Sequence, residues 1–110
     1  MSNSSRIEQL LQFAKEEPDN PFNLYALALE YQKTDPNQAV GYFEKLLSEH
    51  SDYLPTYYHA GALFTELEEL EKAKATYESG IQLADKQENQ HALRELKNAY
   101  QNFLFENDLG

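Results

Sequence analysis

The chain has 110 residues, enough for one hydrophobic core and too few for two independent ones, and 41% hydrophobic with 13% aromatic residues is enough to fill it. Nine Lys and Arg against nineteen Asp and Glu leave a formal charge of -10, which repels a nucleic-acid backbone and an anionic membrane surface, and no basic run offsets it. Cysteine is absent, which excludes disulfides, thiolate metal sites and cysteine nucleophiles and fits a reducing compartment. The N-terminus, MSNSSRIEQL, lacks the basic and apolar regions of a secretory leader, and no apolar run approaches the ~20 residues of a membrane span. A soluble, cytoplasmic, single-domain protein is the expectation over 1–110.

In chain order, Ser5 followed by Glu8 has the capping-box spacing, and Ile7, Leu10, Leu11 and Ala14 recur at helical intervals, with Phe13 widening the stripe. Pro18 disfavours helix in the residue before it, so the first helix is expected over 5–17. Asn20 before Pro21 is a cap followed by the residue suited to the first helical position. Leu24, Leu27, Ala28 and Tyr31 then form the inner face of a short second helix. Asp35 and Pro36 repeat that start, and Ala39, Val40, Phe43, Leu46 and Leu47 carry a third helix to about Glu49. Pro55 heads a fourth, with Tyr57, Ala60, Gly61, Leu63, Phe64 and Leu67 inward. The run ELEELE supplies a turn near Glu68 and Glu69 and an acidic first turn for a fifth helix, where carboxylates favour the dipole. Its inward set is Leu70, Ala73, Tyr77, Gly80, Ile81 and Ala84. After the polar DKQENQ, a sixth helix turns Ala92, Leu93, Leu96, Tyr100, Phe103 and Leu104 inward. No strand alternation is convincing, so the fold class is all-α, with short links that make neighbours antiparallel.

An internal period follows from these positions. Ala39 and Ala73 are 34 apart, as are Phe43 and Tyr77, and Leu24 and Tyr57 are 33 apart. The residues Tyr57-x2-Ala60-Gly61-x2-Phe64, then Ala73-x3-Tyr77, resemble the tetratricopeptide repeat pattern of a large residue, a Leu-Gly-like pair, an aromatic, then Ala and an aromatic. Leu24-x2-Leu27-Ala28-x2-Tyr31 and Ala39-x3-Phe43 match it again with one residue fewer in the turn. Pro18 fits the closing proline of the pattern, whereas Ser51 and Asp85 stand in its place later, and Tyr57 and Leu24 replace its Trp. The resemblance implies an antiparallel helix-turn-helix solenoid of about six helices: an N-terminal half-repeat over 5–17, repeats over 21–50 and 54–86, and a capping helix over 89–106. Arg6 and Lys97 occupy small-residue positions of the two end helices.

Removing the core positions leaves a second stripe, Phe22, Tyr25, Leu29 and Gln32, with Pro55, Tyr58, Ala62 and Thr65 equivalent to it. In tetratricopeptide repeat proteins the first helix of each repeat lines a concave surface along which partner peptides lie. The resemblance therefore implies a non-enzymatic adaptor or scaffold that binds a partner peptide or surface in a shallow concave groove along these residues. The same stripe is open to another reading, burial against the first helix or self-association as a homodimer, since helix-rich cores use two apolar faces. On the sixth helix His91, Arg94, Asn98 and Gln101 take the corresponding face, where Arg94 either reads a partner carboxylate with its planar fork or stays solvated. Tyr25 and Leu29 stand where members that clamp chaperone tails carry Lys and Asn, which disfavours that ligand. The acidic link Glu66, Glu68, Glu69 and Glu71 reads as solvated charge or as an attractor for a basic segment. No catalytic residues, cofactor or metal are expected: His50, His59 and His91 are scattered, and no nucleophilic triad, phosphate loop or HExxH occurs. Glu88-x-x-His91 copies half of a di-metal signature that needs two copies and two further Glu.

Overall fold

The structure, a computed structural model, describes residues 3–109. It contains six helices, α1 (Asn3–Glu16), α2 (Pro21–Tyr31), α3 (Pro36–Glu49), α4 (Pro55–Glu66), α5 (Leu70–Lys86) and α6 (Gln90–Glu106), and no strand among the described residues. Two compact units meet in the chain at Tyr53 and Leu54. None of the helices is long and apolar enough to cross a membrane.

In the first unit, the starts of α2 and α3 follow the expected cap grammar. The Asn20 side chain accepts the Phe22 N–H at 3.0 Å and the Asp35 side chain accepts the Gln38 N–H at 3.4 Å, each just before a proline. α1 packs on α2 through Leu10, Ala26 and Leu27, flanked by Ile7, Ala14, Tyr31 and Tyr42. α2 and α3 pair as a hairpin in which Ala28, Ala39, Phe43 and Leu46 are buried, and the rings of Tyr31 and Tyr42 stack 5.7 Å apart. Arg6 does more than face water, since its Nε donates to the buried Glu30 carboxylate at 3.0 Å and ties α1 to α2.

Two expectations about α1 are corrected. The helix begins at Asn3, so Ser5 lies inside it and forms no capping box: no Pro or Gly before Ser5 stops the helix from extending backwards. Leu11 and Phe13 are exposed, because the line that packs on α2 runs through Ile7, Leu10 and Ala14 and leaves both beside it.

In the second unit, α4 and α5 pair as the other hairpin and α6 packs on α5 and, over a shorter length, on α4. Close approach depends on two glycines. A Cβ on Gly61 would lie 2.7 Å from the Tyr77 ring, and one on Gly80 would lie 2.6 Å from Tyr57 Cβ. Tyr77 in turn packs its ring on Phe103 of α6, with centroids 5.6 Å apart. Leu67, expected inward, is exposed because it caps the C-terminus of α4 where the chain leaves the hairpin.

Three helix ends share one device. Glu68, Glu88 and Asp108 adopt positive φ of 59°, 56° and 56°, and the following N–H groups of Glu69, Asn89 and Leu109 reach back to Phe64, Ala84 and Leu104 carbonyls at 2.9, 2.9 and 2.8 Å. These are Schellman ends of α4, α5 and α6, with an acidic residue where glycine is usual.

Candidate functional site

On α2, Phe22 is 54% exposed while Tyr25, Leu29 and Gln32 are half-buried along the same face. The Asn20 cap holds the Phe22 backbone, and Asn23 donates its amide to the Phe13 carbonyl at 3.4 Å, so the start of α2 is fixed from two sides. Tyr25 meets Tyr53 edge-on at 5.7 Å, a contact within its own unit and not with α1. Burial, then the neighbouring Tyr53 phenol, pushes the Tyr25 pKa up, so it is a neutral hydrogen-bonding group at physiological pH. Gln32 lies just past the helix, its N–H bonded to the Ala28 carbonyl at 3.0 Å.

On α4, Tyr58 is 44% exposed and Pro55 and Ala62 are also exposed. The Tyr58 ring meets His59 edge-on at 5.5 Å, and burial lowers the His59 pKa, which keeps that imidazole neutral. Thr65 is half-buried and donates its hydroxyl to the Gly61 carbonyl at 2.8 Å. The Tyr77 phenol lies close by: burial first, then Tyr58, raises its pKa, and a hydrogen bond with Thr65 opposes the rise. Tyr58, Thr65 and Tyr77 thus bring three hydroxyls to one region of the second unit.

On α6, Arg94 is exposed and makes no ion pair among the described residues; Asn98 and Gln101 are exposed with it, and His91 lies 3.5 Å from Glu95. The acidic link is solvated, with Glu69 reaching Lys72 at 3.9 Å. Among the described residues no three His, Cys, Asp or Glu side chains are grouped to hold a metal ion.

Two residues that the periodic pattern does not single out prove conspicuous. Glu30 is a carboxylate buried within an apolar helix, and its partner Arg6 is legible as the polar exception in α1, but the separation of the two in sequence hides the pair. Phe105 continues the Arg94, Asn98, Gln101 stripe by one further turn, a spacing that would have found it.

No protein-family model and no curated protein matches the sequence. Solved structures do. The chain is similar to the crystal structure of a tetratricopeptide repeat domain protein from Salinibacter ruber, with 39% identity, 76% of this chain and 94% of that chain covered, and a TM-score of 0.72. It is equally similar to the solution NMR structure of a tetratricopeptide repeat domain protein from the same organism, with 39% identity, 79% and 89% covered, and a TM-score of 0.74. Shared sequence over nearly the whole length of these relatives accounts for the paired helices and for the small and aromatic residues between them: the chain belongs to the tetratricopeptide repeat family.

Proposed function

We propose that this chain is a non-enzymatic protein-interaction module that holds partner peptides or surfaces on the outward face of α2 in the first unit and on that of α4 in the second. The observation that carries this reading is what each helix leaves over once its core is formed. Leu24, Leu27 and Ala28 are buried on α2 and Tyr57, Ala60, Gly61 and Phe64 on α4, yet Phe22 and Tyr58 stay exposed at one side of them. Exposed aromatics lose little side-chain entropy on burial and supply large contact area, which is what a recognition surface needs. Tyr25, Leu29, Gln32, Ala62 and Thr65 complete the two faces, and Arg94 offers its free guanidinium to a partner carboxylate. Membership of a family of protein-binding repeats supports the same reading.

Affinity capture from native lysate with mass-spectrometric identification tests it, comparing the natural chain with Phe22→Ala and Tyr58→Ala. Loss of a captured protein with unchanged helical circular dichroism supports the faces; capture that survives both substitutions counts against them. Self-association is the second reading, favoured by the exposed Leu11 and Phe13 on α1. Light scattering separates the two, since a monomer at high concentration removes the second.

A further inference from the structure

The last turns of α6 carry a different surface, which does not depend on the α2 and α4 faces. Gln101, Leu104, Phe105 and Asp108 succeed one another at helical spacing and line an open hollow of about 530 Å³. Phe105 is 85% exposed and Leu109 beyond it is also exposed, whereas Phe103, two residues earlier, is buried against Tyr77. The helix needs Phe103 for its core and spends nothing on Phe105. Along this end of α6 the charge is of one sign. Glu106 and Asp108 are exposed, residues 98–110 contain no Lys, Arg or His, and the carbonyl end of the helix adds its negative partial charge. The Asp108 backbone is fixed beside Phe105 by its left-handed φ of 56° and its N–H bond to the Phe105 carbonyl at 3.3 Å.

We propose that this hollow docks a basic amphipathic segment of a partner protein, with an apolar side chain of that segment covering Phe105 and a Lys or Arg pairing with Asp108. Charge decides among occupants. A second copy brings its own charge of -10 to a negative rim, and an anionic lipid surface is repelled in the same way. A cationic segment with an apolar face satisfies both the exposed ring and the carboxylates around it, the arrangement of an aromatic anchor inside a charged rim.

Fluorescence anisotropy with three labelled helical peptides tests this on the full chain: one of Leu and Lys with an apolar face, one with Glu in place of Lys, and one with Ser in place of Leu. The Leu–Lys peptide is expected to bind, more weakly as salt is added. Phe105→Ala and Asp108→Asn are each expected to weaken it roughly tenfold, and Tyr58→Ala to leave it unchanged. Phe105 makes no core contact to lose, and Asn tolerates the left-handed turn, so both variants keep the fold. The proposal is overturned if the Leu–Lys peptide does not bind, if the Leu–Glu or Ser–Lys peptide binds as well, or if binding survives Phe105→Ala. A dimer seen by light scattering that Phe105→Ala dissociates would make the occupant a second copy, and overturn it too.

Discussion

The α2–α3 and α4–α5 hairpins share a register and fill it with residues of different size. Where the first carries Leu24, Ala28, Phe43 and Leu46, the second carries Tyr57, Gly61, Tyr77 and Gly80, and all eight are buried. Leu24 and Phe43 give way to the larger Tyr57 and Tyr77, while Ala28 and Leu46 give way to glycine, so volume is traded between facing helices, as close packing requires. The consequence is geometric. With Gly80, the α5 backbone comes so near Tyr57 that a Cβ would stand 2.6 Å from Tyr57 Cβ, a separation that Leu24 and Leu46 in the first hairpin cannot adopt. At Gly80 the α5 backbone thus lies nearer to α4 than any side chain at that position would permit.

The largest expected effect comes from filling the α4–α5 hairpin. Gly61→Leu should destabilise by about 1–3 kcal/mol or more, because its side chain must displace the buried Tyr77 ring. A melting temperature equal to that of the natural chain would show that the α4–α5 contact is not close. The hairpins also differ in how their helices start. α2 and α3 have side-chain caps, Asn20 and Asp35, whereas the residues preceding α4 and α5, Leu54 and Glu69, make no such bond. Asp35→Ala should therefore cost about 1 kcal/mol, and Glu69→Ala clearly less, in chemical denaturation. At the far end of α4 the order reverses. Glu68 holds a left-handed backbone that glycine adopts freely, so Glu68→Gly should gain about 1 kcal/mol, read as a raised denaturation midpoint.

The smallest effect is alkaline and concerns the second unit. Burial and the hydrogen bond that Tyr100 donates to Glu78 push its pKa up to about 12, from an ordinary 10.0. The unfolded chain therefore ionises this phenol before the folded chain does. Its contribution is complete below pH 10.0 and is lost as pH rises from there through about 12. Stability measured across that window should fall less steeply in Tyr100→Phe.

The elements that sequence made legible are those with local chemical markers. Asn20-Pro21, Asp35-Pro36 and Pro55 announce helix starts, and the spacing of Ala39 with Ala73 and Phe43 with Tyr77 announces the hairpins, because caps and close contacts require particular residue types. Exposure was less legible. A periodic stripe shows which residues share a face but not how wide a neighbour covers it, so Leu11 and Phe13 looked like core and stand beside the line that α2 covers. The run ELEELE marked a turn near Glu68, but the left-handed backbone of Glu68, Glu88 and Asp108 had no marker, since none of them is glycine. On the candidate faces, periodicity separated Phe22 and Tyr58 from the core but gave no sign that Tyr25 leans on Tyr53 or that the Thr65 hydroxyl turns back to its own helix.

Thermal unfolding of Gly80→Ala beside Gly41→Ala tests the close approach of α5 to α4 most directly, because the same chemical change is made at a buried and at an exposed helical glycine. Around Gly41 a Cβ meets nothing within 4 Å, so alanine there gains only helix propensity and should raise stability by about 0.5–1 kcal/mol. At Gly80 the same methyl meets Tyr57 Cβ, which cannot move without its backbone, and the melting temperature should fall. A rise in both variants would contradict the account, since it would mean that α5 does not approach α4 more closely than a side chain permits.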